Sequence, residues 1–461
     1  MISANKINNY NIFDMKSCLL LKTLLIITVA LSMYDSSVAQ DQWQILETES
    51  QSQERHENAF VKSGENFYLL GGRGSRPTDI YNPSTHTWME GAPAPIEISH
   101  FQAVSYEGLI YVMGGLTGNW PSETPLSHIY IYDPLIDKWF LGPEIPSHRQ
   151  RGAAGVAVYN DKIYLVCGIV NGHTSGWVPW LDEFDPATNS WRELPDAPRS
   201  RDHFQAAVVG DKLIAAGGRK SGYDGQGFEA TIAETDVYDF LTGTWSTLPS
   251  PEGDIPTQRA GTAAIGTGSE AIVIGGESGS QTVSHNEVEA LDPETGIWRS
   301  LPALNTGRHG TQVIYSEGNL YIEAGSGDRG GGPELSSLEK FTLSEEESSE
   351  NEPIVAGTLE LSGESHDFGP VRPHTTKTAT FELDNSGGNQ GILLSYMIVT
   401  GSEEFVVDFP YTLPYVIGSD KTVSFDVHFT PNSNQSAETS LLIKVADRGD
   451  RQPKEIQLSG N

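Results

Sequence analysis

Cysteine is nearly absent from this chain of 461 residues, which carries two, Cys18 and Cys167. Cys18 lies in a leader-like segment, so the mature chain is expected to hold one thiol and no internal disulfide, leaving stability to packing. Basic residues are scarce as well: 29 Lys and Arg stand against 61 Asp and Glu, a formal net charge of −32. A surface this acidic repels phosphate backbones, and without a basic patch nucleic-acid binding is excluded. No stretch has the roughly 20 apolar residues that a membrane span needs.

What the N-terminus does have is a basic start at Lys16, an apolar run from Leu19 to Leu31 broken by Lys22 and Thr23, and small residues Ser37, Val38 and Ala39. That is the layout of a secretory signal cleaved near Ala39, spanning residues 1–39, so a secreted, periplasmic or cell-surface location is expected. Met15 followed by Lys16 makes a more ordinary start than Met1. Cys18 precedes the apolar run, which argues against a lipid anchor on it.

Residues 41–343 repeat themselves. Apolar strands ending in a glycine pair recur as FYLLGG to Gly72, IYVMGG to Gly115, IYLVCG to Gly168, LIAAGG to Gly218, AIVIGG to Gly276 and LYIEAG to Gly325, spaced by 43 to 58 residues. Five of the six are followed by a turn and a tryptophan, at Trp88, Trp139, Trp191, Trp245 and Trp298. The missing tryptophan is Trp43, which precedes the first glycine pair, while the last repeat, ending near Leu343, has none after it. The two partial repeats complete one unit if the N-terminal strand pairs with the last three strands.

These motifs resemble the kelch repeat, whose period is about 50 residues. The resemblance implies an all-β, six-bladed propeller closed by its N-terminal strand, with four antiparallel strands per blade and the tryptophans packed between blades. Cys167 and Ala324 depart from it by replacing the first glycine of a pair. Kelch-like propellers include the copper enzyme galactose oxidase, which needs a cysteine cross-linked near the channel mouth; Cys167 sits in a glycine-pair position, so that activity is rejected and no metal or cofactor is expected. The run Ile274–Ser278 loosely resembles the exported sialic acid epimerase, which implies an alternative activity as an epimerase or lyase on an acidic sugar, with Glu277 and His203 as its proton-transfer residues.

Aligned backwards from the glycine pairs, the repeats share a column of Arg55, Ile98, Arg151, Arg201, Arg259 and Arg308 at the start of the innermost strand, followed by Glu57, His100 and His203 two positions on. In an up-and-down blade the loops entering the first strand and leaving the second share a face. The expected binding face therefore collects the five arginines, His100 and His203 with Trp120, Trp177, Trp180, Arg219 and Tyr223 of the long loops. Cations beside aromatic faces suit a glycan, and an acidic one could be gripped by arginine. The expected partner is a glycan or an extracellular protein, bound by a monomer that is more binding protein than enzyme.

An acidic stretch, residues 344–353, reads as a linker. From 354 to 461 short strands return, clearest in VSFDVHF (Val423–Phe429), where apolar and polar residues alternate. DFGPV, LDNSGG, HFTP and the closing LSG resemble Ig-like domains related to the ASPM, SPD-2 and Hydin family, which implies a seven-stranded sandwich acting as a spacer or adhesion element.

Overall fold

The computed structural model describes residues 42–343, 352–445 and 453–461. The leader expected at 1–39, Cys18 and nearly all of the acidic linker lie outside the described residues. The described chain is all-β apart from one short 3₁₀ turn at Tyr223–Gly225, and no helix in it is long and apolar enough to cross a membrane.

Residues 42–343 form six four-stranded antiparallel sheets, the blades, numbered here by their innermost strands: Asn58–Ser63, Gln102–Tyr106, Gly155–Tyr159, Ala206–Val209, Ala263–Gly266 and Val313–Ser316. Each innermost strand touches that of the next blade, and the sixth touches the first. Gln44–Ile45 pairs with Glu339–Thr342 as the outermost strand of the sixth sheet, with Gln44 opposite Lys340.

Neighbouring blades are fastened by the tryptophans. Five of the six indole N–H groups donate to a carbonyl at or beyond the end of the outer strand of the preceding blade: Trp139 to Ala92 O (3.0 Å), Trp191 to Glu144 O (3.1 Å), Trp245 to Pro195 O (2.8 Å), Trp298 to Gly253 O (3.1 Å) and Trp43 to Pro302 O (2.9 Å). Between the sixth and first blades the Ser50 hydroxyl donates to Trp88 O at 2.9 Å. Burying an indole while satisfying its one donor makes this residue type fit the seam.

A second fastening encircles the axis. His100 N–H donates to Glu57 O, Ala153 to His100 O, His203 to Ala153 O, Gly261 to His203 O, Gly310 to Gly261 O and Asn58 to Gly310 O, at 2.6 to 3.1 Å. The geometry requires a left-handed backbone: φ is 57° at Glu57, 54° at His100, 50° at Ala153, 53° at His203, 63° at Gly261 and 66° at Gly310. Four of the six are not glycine, a strain characteristic of functional positions. At Gly310 the missing side chain matters, because a Cβ there would lie 2.9 Å from the Glu57 carboxyl carbon.

The C-terminal region has two sheets over one apolar core. One runs Thr358–Leu361, Lys377–Ser386, Thr422–Phe429, Phe405–Asp408; the other runs Ser365–Asp367, Lys454–Gly460, Ala437–Val445, Ile392–Val399, Tyr415–Ile417. Nine strands replace the seven expected, the difference coming from short edge pieces. The core stacks Phe381 on Phe425 and Phe405 on Phe429.

This sandwich sits on the second and third blades. Leu393 and Val416 join the cluster of Leu109, Tyr111 and Phe184. Gly391 N–H donates to Glu107 O (3.0 Å), Gln390 Nε2 to Asp133 Oδ1 (2.8 Å) and Tyr415 Oη to Ala187 O (2.7 Å). The hydrogen-bonded propeller partners Glu107, Asp133 and Ala187 lie in or beside turns joining strands one to two or three to four, so the sandwich covers the face opposite the loops that surround Glu57 and His100. Tyr415→Phe, which orphans a partly buried carbonyl, is expected to lower stability by about 1 kcal/mol; urea unfolding checks it, and an unchanged midpoint would contradict the contact.

Candidate functional site

The five arginines of the repeat column lie inside the blades, each at most 1% exposed. Each pairs with an acid on the third strand of its own blade: Arg55 with Asp79 (2.5 Å), Arg151 with Asp182, Arg201 with Asp236 (2.7 Å), Arg259 with Glu289 (2.5 Å) and Arg308 with Glu339 (2.5 Å). Each also donates to the carbonyl at the first glycine-pair position: Gly71, Cys167, Gly217, Gly275 and Ala324. Buried and paired within the blade, the column cannot grip a ligand, which corrects the binding role expected for all five. In the second blade Ile98 occupies the arginine position and Ile129 lies 31 residues on, the same separation as Arg151–Asp182 and Arg308–Glu339; both isoleucines are buried.

Other expected site residues fall into four groups. Trp180 belongs to the blade, its ring 4.5 Å from the Arg149 guanidinium carbon and its carbonyl accepting from Cys167 N–H at 2.7 Å. Arg219 and Glu277 are buried in a mutual ion pair of 2.5 Å, and Glu277 also accepts from Gly330 N–H at 2.8 Å. Burial opposes ionisation of Glu277, but His309 and Arg219 outweigh it and hold the carboxyl down to about 2, far too acidic for a base acting near neutrality. Trp120 is 68% and Tyr223 44% exposed at the rim; half-buried Trp177 donates to Ser221 O at 2.8 Å and meets Tyr223 edge-on at 5.6 Å.

Cys167 is fully buried, and burial pushes its thiol up to about 11, so it is inert. It adopts φ 52°, as Ala324 adopts 60°, so these two blades keep the left-handed turn without glycine.

The fourth group is brought together. His100 and His203, both buried, meet His173, which comes from the hairpin loop between Ile169–Asn171 and Ser175–Trp177; one ligating atom of each lies within 4.8 Å of the others. Each ring is oriented through Nδ1: His100 by Ser99 Oγ (2.9 Å), His173 by Glu123 Oε2 (3.0 Å) and His203 by Asp202. Arg73 Nη2 donates to Glu123 Oε1 at 3.0 Å and approaches His100 Nε2 at 3.3 Å. Burial and the neighbouring His173 and His203 hold His100 well below the usual imidazole range; burial and Arg219 lower His203. Glu123 is held down to about 2, because His173 and Arg73 outweigh its burial.

Beside the trio, on the axis, is a cavity of about 30 Å³ lined by Glu57, His100, Ala153, His203, Gly261, Gly310 and their neighbours. It has room for a water or two and none for a sugar ring. The roles of His173 and Glu123 escaped the sequence reading because both come from second-to-third-strand loops that follow no repeat register. A set of imidazoles with fixed Nδ1 partners could hold a metal ion, a possibility absent from the expectation of no metal and no cofactor.

Residues 28–286 match the family model of the Attractin/LZTR1 beta-propeller. The chain is 29% identical over 289 residues to Kelch-like protein terF of Aspergillus terreus, covering 59% of this chain and 61% of that protein. It is 26% identical over 261 residues to Kelch-like protein 25 of Xenopus tropicalis, covering 54% and 41%. It thus spans less than two thirds of the length of these curated relatives. The solved structure of YjhT superposes with a TM-score of 0.53 at 16% identity, covering 63% of this chain and 95% of YjhT.

Proposed function

Because the chain belongs to the Attractin/LZTR1 beta-propeller family, with more than half its length matched, we propose that it is an exported recognition module that captures an extracellular protein on its free propeller face. In this reading a signal peptide (1–39) precedes a six-bladed kelch propeller (41–343) closed by its N-terminal strand, and an acidic linker (344–353) leads to an Ig-like module (354–461). Kelch propellers commonly mediate protein binding, which supports the class of partner. The observation that carries the assignment is the aromatic rim of Trp120, Trp177 and Tyr223 around the mouth, on the face that the sandwich leaves clear. Large aromatics with a polar edge are the usual anchors of protein interfaces.

A glycan is the second reading, favoured by the same exposed rings. An acidic glycan loses its support, since the column of arginines is buried and the chain carries a net charge of −32. Sugar epimerisation or lysis by Glu277 and His203 loses support too, as the carboxylate is locked by Arg219.

Residues 41–461 presented to arrays of extracellular proteins and of glycans test this. Binding to a protein is expected to fall about thirtyfold in Trp120→Ala and in Tyr223→Ala, a loss of about 2 kcal/mol each, at an unchanged melting temperature. Binding confined to glycans would replace the protein reading, and binding indifferent to both changes would remove the rim from the site.

A further inference from the structure

We propose that His100, His173 and His203 form a binding site for a divalent first-row transition cation of the Zn²⁺ class, a role independent of the partner-binding reading. Hydrogen-bond chemistry carries it. The Nδ1 atoms of His173 and His203 face Glu123 and Asp202. A carboxylate only accepts, so Nδ1 carries the proton in both rings, and in the neutral imidazole Nε2 then presents a lone pair. Those two Nε2 atoms lie 2.9 Å apart. Two lone pairs at that distance repel unless a proton or a metal cation lies between them.

His100 obeys the same logic. Arginine only donates, so the approach of Arg73 Nη2 to His100 Nε2 at 3.3 Å makes that nitrogen an acceptor, with Nδ1–H turned to Ser99 Oγ. Three imidazoles therefore aim lone pairs at one small volume, each held from behind by an oxygen, the outer-shell arrangement of metal-binding histidines. Bonds of about 2.0 to 2.1 Å to zinc require ligand nitrogens about 3.3 Å apart in a tetrahedron. His173 and His203 are within a few tenths of an ångström of that spacing, and the third ligand atom lies no farther than 4.8 Å from either. Glu57 Oε2, 3.5 Å from His100 Nε2, is the fourth ligand that the geometry offers. Arg73 gives up only its contact with His100 when the cation enters, because Glu123 still accepts from it. Imidazole with one carboxylate suits Zn²⁺, Co²⁺ or Ni²⁺ rather than Ca²⁺ or Mg²⁺, which favour all-oxygen shells.

The test uses residues 41–461 without a histidine tag, stripped with chelator and titrated with Zn²⁺ or Co²⁺. One equivalent is expected by elemental analysis, with a visible d–d band for Co²⁺. His173→Ala, at a partly buried loop position, should abolish the band while circular dichroism shows the fold retained. Glu123→Gln should weaken affinity roughly 10- to 100-fold through the ring behind it, and Arg73→Ala should bind at least as tightly as the parent. His285→Ala, remote from the trio, should bind normally. Absence of a stoichiometric metal ion in the folded parent, or a Co²⁺ spectrum that survives His173→Ala, would overturn the proposal; a far-downfield imidazole proton in a parent that takes up no metal would assign the gap to a shared proton instead.

Discussion

Arg259→Met is expected to destabilise the chain by about 3 to 5 kcal/mol, the usual consequence of leaving a buried charge without its partner. Arg259 is fully buried and donates to Gly275 O at 2.6 Å, Thr257 O at 2.6 Å and Glu289 Oε2 at 2.5 Å. Removing it strands the Glu289 carboxylate and weakens the carbonyls that shape the mouth loop. Arg259→Met combined with Glu289→Leu should regain most of the loss, because an apolar pair of similar volume needs no compensation. The second blade already has buried apolar residues at the two corresponding positions, Ile98 and Ile129. Urea unfolding of parent, single and double variants measures this. Were Arg259 a ligand clamp instead, the single variant would unfold at the parental midpoint and lose only binding.

Glu323→Gln should make the protein more stable at pH 8 and leave it nearly unchanged at pH 4. Glu323 is fully buried in the sixth blade, takes a hydrogen bond from Ser52 and has a second oxygen with no partner. Burial raises its carboxyl from the usual 4.5 to about 7, against the opposing pull of Arg308 and Arg55. A carboxyl whose folded value is raised binds its proton more tightly in the native state. Its contribution is therefore complete below pH 4.5 and is lost as pH rises through 7. The difference corresponds to about 3 kcal/mol, which glutamine, neutral at every pH, retains. Parent and variant unfolded in urea at both pH values isolate this group from all others. A gap between them that does not change with pH would show that Glu323 stays ionised throughout.

Repeat register was legible because every blade restates it: glycine pairs, turn motifs and tryptophans recur at similar separations, and even Trp43 could be assigned to the far end of the chain. The arginine column was legible as a column and misread as a surface. A residue opening an innermost strand stands near the rim, but here the left-handed residue two positions later turns the chain, so Arg259 folds back beneath its own glycine-pair loop while His100 and Glu57 face the axis. Left-handed turns at Glu57, His100, Ala153 and His203 have no signature, since none is glycine. The paired change at Ile98 and Ile129 was the one available clue that arginine answers an acid in the third strand. The meeting of His173 with His100 and His203, and the part of Glu123 in it, were beyond reach, because loops without a common register meet only in three dimensions. In the sandwich, alternation marked Thr422–Phe429, whereas Ser365–Asp367 and Tyr415–Ile417, of three residues each, are too short to show a period.

Pairing of Gln44 with Lys340 has a consequence for how the molecule is made. A chain synthesised from its N-terminus produces the opening strand first, yet that strand has no seat until nearly 300 further residues have followed. Until then its own backbone groups are unmatched, and a ribosome stalled short of Leu338 would release a product that lacks Glu339–Thr342 and so has two adhesive margins, the opening strand and the free edge of Asn319–Ile322. Such a fragment should cling to chaperones or to its own kind, and only the finished polypeptide can hide both margins at once.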